Sequence, residues 1–440
     1  MQLKPTLIRA PKDRSKVSHT AVYLFAVLII ELGLYVLPLI FPHNIGSSYM
    51  GLYGLMLGLS LYMWRYQPLP PKHVLMIGII AILVLSPLSA LTSNDAERYL
   101  WDGRVFLSGL DPYVTSPNNP AVADLRAIWP TPEEHSDYAT LYPPGALTLF
   151  ALSATAGPTY GIWLWKFIAI SAALLNLTLG YDLLRRRNLL SALPLIALSP
   201  LLLFETGAGL HVDIICVLAV TAALWCLETK RIIQAGIILG IAATVKFLPA
   251  VIIGPLLFFM KPKHALQIFL AASLTWLSVY GLMFAVGYKP LGLLPTFFEK
   301  WRGGAPIYPL LEGIKTTASL STQSFLGLLG LIAAILFGLS AYLARRGYII
   351  IAISLSIATP LLLSPVLFPW YLMILIPLFA LRPTYTVIAA ITVVPLSYEV
   401  LNQWLSAGHW SPAVWPSYIL LAGIIIGLCL DLFKARAKIS

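Results

Sequence analysis

The chain has 440 residues, 59% hydrophobic and only 11% charged, with a net charge of +11. Its mean hydropathy of +0.83 excludes an ordinary soluble domain, in which roughly 25% of residues are charged. The positive balance reads as loop anchors on a cytoplasmic face and not as a nucleic-acid surface. Cys216, Cys226 and Cys429 fall inside apolar runs as small hydrophobes, not as disulfide or metal positions.

Residues 1–18 are basic (Lys4, Arg9, Lys12, Arg14, Lys16) and lead into an apolar run too long for a signal-peptide core. They read as a cytoplasmic tail before an uncleaved first span. Spans are expected near 19–42, 48–65 and 73–92, an N-terminal group over 19–92. Residues 93–159 form a polar loop with juxtamembrane helices, one from Asn94 to about Ser108, stopped by Gly109 and capped by Asn94 or Ser93. Another, over 144–157, is too short to cross and dips into the outer leaflet. A bundle over 160–433 places further spans near 160–183, 190–206, 209–228, 264–287, 320–343, 347–366, 369–382, 384–402 and 413–433. The run at 232–260 is too long for one span and breaks at Lys246 to Pro249, so it reads as two short helices that enter and return. Such breaks are tolerated where backbone lines a cavity. An outer loop at 288–319 and a cytoplasmic tail at 434–440 complete an all-α polytopic membrane protein with roughly 12–14 membrane helices.

With the amino terminus inside, twenty of the 29 Lys and Arg fall on the cytoplasmic side and seven outside, the bias expected of this orientation. The acids do the opposite: twelve, including Asp95, Asp102, Glu134, Glu205 and Asp213, fall outside. They concentrate first in "SNDAERYLWDGRVFLSGLDPY" (93–113). On a helix Asp95, Arg98 and Asp102 share one face. Ion pairs three and four residues apart on an interfacial helix account for Arg98 and Asp102. They account least for Asp95, at a span end, where partial desolvation makes a carboxylate a usable base.

This stretch, continued to "DPYVTSP", resembles the first outer loop of bacterial mannosyltransferases of the GT-C superfamily, with Asp95, Tyr99 and "GLDPY" (109–113) in the places of its acid, tyrosine and turn. "LYPPGAL" (141–147), "GLHVDIICVLAV" (209–220), the broken helix around "VKFLP" (245–249) and "SPVLFPWYLMILIP" (364–377) resemble later elements in the family's order. Two spans precede the one leading to this loop, more than many members have. The resemblance implies a GT-C type helical bundle that moves a sugar, mannose first, from a polyprenyl-phosphate donor to a lipid or glycan acceptor. It implies an inverting mechanism on the outer face of a bacterial inner membrane, serving the cell envelope, with no cofactor and no obligatory metal. Asp95 is then the general base. Arg98, Lys246 and Arg302 are candidates for the donor phosphate, because a leaving phosphate needs cations. Asp102 positions through Arg98; Tyr142, Glu205, His211, Asp213, Trp370 and Tyr371 are candidates for substrate contacts.

Simpler roles stand beside these. His211 and Asp213 can cap a helix, Lys246 can pair with a helix end at the break, and Trp370 and Tyr371 suit an interfacial aromatic belt. Glu31, mid-span, reads as a structural or oligomer contact. A lipid-linked sugar transporter is the rival function, but it would set its ionisable groups near the midplane in two matched halves. A polysaccharide polymerase or ligase is the second rival.

Overall fold

The computed structural model describes residues 16–407, apart from 130, 132, 134 and 135, and residues 410–437. Lys4, Arg9, Lys12, Arg14, Glu134 and Lys438 lie outside the described residues. The described residues are 77% helical. The described residues contain no strand, only an isolated parallel bridge between Gly303 and Val366.

Among the described residues seven helices are long and apolar enough to cross a membrane: His19–Ile40, Gly157–Arg186, Leu190–Gly207, Pro262–Ala285, Thr322–Arg345, Tyr385–Trp404 and Trp415–Arg436. Six shorter apolar helices accompany them: Pro71–Leu85, Pro144–Ala154, Ile232–Val245, Leu248–Phe259, Ile349–Leu363 and Pro369–Leu381. Only 6% of the most apolar window in Thr322–Arg345 is buried by protein, although its hydropathy is 2.2. A helix apolar all round and uncovered by protein requires an apolar solvent, so this is an all-α polytopic membrane protein. Leu190–Gly207, 89% buried, is the central element. Ile45–Tyr66, Pro71–Leu85, Gly157–Arg186, Asp213–Glu228 and Pro369–Leu381 contribute to the core that encloses it.

Several expected spans are shorter or interrupted. The third helix ends at Leu85, not near residue 92. Pro87 follows, and a proline disfavours helix in the residue before it and cannot donate to the ladder. The freed chain instead bonds across the bundle, Leu91 N–H to the Ala208 carbonyl at 2.7 Å. The 190–206 run is likewise pieced together, with prolines opening Pro194–Ala197 and Pro200–Gly207. The break at Lys246 stands as expected. Ile232–Val245 stops there, Lys246 is extended (φ −147°, ψ 146°), and a 3₁₀ turn carrying Pro249 restarts the chain.

The first polar loop is built on the Asp95–Leu107 helix. Asp95 and Glu97 lie in its first turn and Arg104 in its last, matching the helix dipole. Ser93 Oγ accepts the Asp95 N–H, and Gly109 at φ +74° ends the segment. This helix lies against Pro144–Ala154 so closely that a Cβ on Gly103 would meet the Phe150 backbone at 2.3 Å. The rest of the loop folds back over it, with Thr140 N–H on the Pro112 carbonyl at 2.9 Å. The 288–319 loop docks on top, Trp301 against Tyr138 with centroids 4.8 Å apart. Cys216 and Cys226 are buried as expected, whereas Cys429, on Trp415–Arg436, is exposed. Glu31 is buried within the chain, and neither of its carboxylate oxygens has a hydrogen-bond partner among the described residues.

Candidate active site

Three segments distant in sequence meet at the start of the Asp95–Leu107 helix. The first is the helix itself. The second is the turn Gly209–Val212, where Leu210 takes a left-handed conformation (φ +56°) and its carbonyl accepts Trp165 Nε1–H at 2.9 Å. Gly209 is needed beside it, because a Cβ there would lie 2.5 Å from the His211 ring. The third is the 3₁₀ turn Pro369–Leu375, which carries Trp370 and Tyr371.

Together they set His211 between two carboxylates. Its Nδ1 is 3.6 Å from Asp95 Oδ2 and its Nε2 is 3.4 Å from Glu205 Oε2. The ring is fully buried and lies nearly parallel to Trp370, with centroids 3.7 Å apart and planes 14° apart. Phe368 covers the Trp370 ring at 4.4 Å. Glu205, also fully buried, accepts the hydroxyls of Tyr49 at 2.7 Å and Tyr398 at 2.8 Å. Asp95 stays 23% exposed. It accepts the Tyr99 hydroxyl at 3.4 Å, and that oxygen in turn accepts the Val212 N–H at 3.5 Å. Tyr99 lies flat against Phe150 at 4.3 Å, with Tyr142 edge-on at 5.2 Å. Burial first, and then the Asp95 charge, push the Tyr99 and Tyr142 phenols well above their ordinary range. Both therefore face the site as neutral hydroxyls.

Beside this cluster, Lys246 Nζ bridges both oxygens of Asp213 at 2.6 and 2.7 Å and sits 4.2 Å over the Tyr371 ring. The break in the helix thus delivers a cation to a carboxylate, not to the helix end the simpler reading offered. Tyr371 stands perpendicular to Trp370 at 6.0 Å, so the lysine pair and the histidine cluster share an aromatic wall.

Other candidates lie apart from this group. Arg98 is buried, with Nε on Asp102 at 2.8 Å and an Nη on the Tyr138 carbonyl at 2.6 Å. It ties the helix to the overlying loop, and Asp102 holds it there as the spacing implied. Arg302 folds onto its own loop, donating to the Phe298, Glu299 and Trp301 carbonyls and to Glu312 at 3.3 Å. Tyr49, Tyr398 and Phe368 were missed by sequence reasoning. Tyr49 and Tyr398 sit in apolar helices with nothing around them to mark a role, and only the fold brings them to Glu205. Phe368, adjoining "PWY", could have been noticed.

Among the described residues no group of three His, Cys, Asp or Glu is arranged to hold a metal ion. Asp95 and Glu205 face opposite edges of the His211 ring, so the three do not converge on one point.

Compared with known protein families, residues 43–261 match the model described as alpha-(1->6)-mannopyranosyltransferase, N-terminal domain. The match covers about half of the chain and takes in the Asp95 helix, the His211 turn and the Lys246 break. No curated protein matches the chain.

Proposed function

The chain belongs to the alpha-(1->6)-mannopyranosyltransferase family, a GT-C type family, and is therefore a membrane glycosyltransferase handling mannose; we propose that its donor is a polyprenyl-phosphate mannose and its general base Asp95. The observation that carries this reading is the setting of Asp95. It is a partly exposed carboxylate at the head of a juxtamembrane helix, facing a buried histidine and a neutral tyrosine, with a lysine on the neighbouring break.

A polyprenyl phosphate keeps its tail in lipid and its sugar at the surface, so its enzyme needs polar groups at a bilayer boundary. In the proposed reaction Asp95 removes the proton of an acceptor hydroxyl, on a lipid or a glycan. The hydroxyl oxygen attacks the anomeric carbon as the bond to phosphate breaks. Inversion that yields an α-linkage begins from a β-linked donor. Lys246 exchanges Asp213 for the leaving phosphate, and Arg302 approaches from the 288–319 loop. Arg98 acts from behind the helix, through Asp102 and the loop. Tyr142 and Tyr371 offer aromatic faces to the sugar, and Asp213 supplies a polar edge; Trp370, stacked on both His211 and Phe368, and the fully buried His211 back the site without meeting the sugar. Glu205, too deep to meet substrate, supports His211.

The charge bias supports a cytoplasmic amino terminus. It also supports a 93–159 loop and a 288–319 loop on the outer face of a bacterial inner membrane, on either side of the 160–433 bundle. The test is mannose transfer from radiolabelled polyprenyl-phosphate mannose in vesicles with and without the protein. Asp95→Asn should insert normally and turn over roughly 10²–10⁴-fold more slowly, the usual contribution of a general base. Wild-type turnover by that variant would remove Asp95 from the role. Transfer from a nucleotide sugar, with none from the lipid donor, would remove the donor assignment.

A further inference from the structure

His211 has no evident structural reason for its place. It is fully buried, and among the described residues neither ring nitrogen has a hydrogen-bond partner within ordinary reach. A buried unpaired nitrogen costs stability. What holds the ring is the Trp370 stack, and what its two nitrogens face are two carboxylates.

We propose that His211, its tautomer set by Glu205, takes over the proton that Asp95 removes from the acceptor, so that Asp95, His211 and Glu205 form a relay. This rests on the reading of Asp95 as the base. Neither His211 nor Glu205 touches substrate; both are positioning residues that act through Asp95.

The tautomer follows from Glu205. Its carboxylate already accepts two tyrosine hydroxyls, and the imidazole edge beside it, Nε2, is left to donate. With the proton on Nε2, the Nδ1 lone pair points at Asp95 Oδ2. A carboxylate base facing a ring lone pair has a ready acceptor for the proton it collects. When that proton arrives on Nδ1, both N–H groups have carboxylate partners, so the ring is satisfied while it carries charge. The other groups near the cluster compete little: Tyr99, Tyr49 and Tyr398 are neutral donors, and Lys246 is held by Asp213. The 3.6 Å gap closes by a small rotation of Asp95, the one exposed member. Catalytic hydrogen bonds are often long before substrate arrives.

The acceptor O–H bond breaks and its proton goes to Asp95. The oxygen bonds the anomeric carbon, and the glycosyl–phosphate bond breaks with its electron pair going to phosphate. The Asp95 proton passes to Nδ1, while the Nε2 proton shifts toward Glu205. After product release the shift reverses, and the proton leaves through Asp95 to water.

The test uses full-length protein in vesicles with radiolabelled polyprenyl-phosphate mannose. The variants are His211→Phe, which keeps a ring against Trp370, Glu205→Gln, and each combined with Asp95→Asn. The relay requires His211→Phe to lower kcat by about 10-fold or more with donor KM within about threefold, the range of one proton-transfer group. On the Asp95→Asn background neither variant should lower kcat further, because residues acting through one group are not additive. A solvent-deuterium proton inventory should be curved in wild type and linear in His211→Phe. Losses that multiply on the Asp95→Asn background would overturn the relay, as would kcat within twofold of wild type in both single variants. If His211→Phe does not fold, Glu205→Gln, unchanged in shape, decides by the same criteria. An active Asp95→Asn would overturn the base assignment itself; an inactive Asp95→Asn beside a fully active His211→Phe would sink the relay alone.

Discussion

The Asp213–Lys246 pair makes the consequence of one substitution unusually specific. Lys246→Met removes the ammonium from a carboxylate that is only 8% exposed and has both oxygens on that cation. An orphaned buried charge costs about 3–5 kcal/mol when its partner is removed. The lysine side chain is itself only 21% exposed, so solvent relieves little of this. The single variant should therefore unfold at markedly lower temperature in detergent, and a loss of activity in it would say nothing about phosphate. Adding Asp213→Asn removes the orphan, and replacing both charges of a buried pair is often nearly neutral. The double variant should then recover most of the lost Tm. Donor affinity measured in that background isolates the phosphate contact. A charge-assisted bond of roughly 1.5–3 kcal/mol predicts a donor Kd raised about 10-fold or more. Asp213→Asn alone should have the opposite sign, because the carboxylate that competes with phosphate for Lys246 is gone. A double variant with wild-type Tm and wild-type donor affinity would refute the phosphate role and leave the pair purely structural.

Transfer should persist in excess chelator, since a monophosphate donor needs no bridging cation; activity lost with EDTA and restored by Mg²⁺ would move Asp95, Glu97 and Asp102 toward a ligand role. Gly103→Ala should cost on the order of 1–3 kcal/mol and lower kcat, because its methyl group would meet the Phe150 backbone at 2.3 Å and push the Asp95 helix away; unchanged stability would mean the two helices do not touch. Tyr99 and Tyr142 titrate higher when folded than the ordinary phenol near 10. Their contribution is complete below that pH and is lost as pH rises through the folded values, so stability should fall above about pH 10. Alkaline denaturation followed by tyrosinate absorbance checks this, and Tyr99→Phe with Tyr142→Phe should flatten the fall.

The opening acids of the first loop, the helix they start and the break at Lys246 were all legible in the chain. Each is a local event: a dipole matched by charge, a glycine at positive φ, a proline that cannot continue a ladder. The membrane class was equally local, because a helix apolar on every side has only lipid to face. The third span shows where local reading stops. Its apolar run continues to residue 92, yet Pro87 ends the helix early and sends the chain across the bundle to Ala208. Pairing was beyond local reading altogether. Asp213 was marked as a helix-start carboxylate and Lys246 as a cation at a helix break, but 33 residues separate them and no periodicity links a helix start to a helix break. Arg98 could be assigned to Asp102 because one helix carries both. Tyr49 and Tyr398 could not be assigned to Glu205, because that contact requires the first and last thirds of the chain to close around the Leu190–Gly207 span. Burial decides which polar group must find a partner, and burial is a property of the packed bundle. The sequence by itself determined the solvent, most of the helices and the acids that open the first polar loop; the tertiary structure alone decided that Asp95 faces a histidine stacked on Trp370 and set beside a second carboxylate.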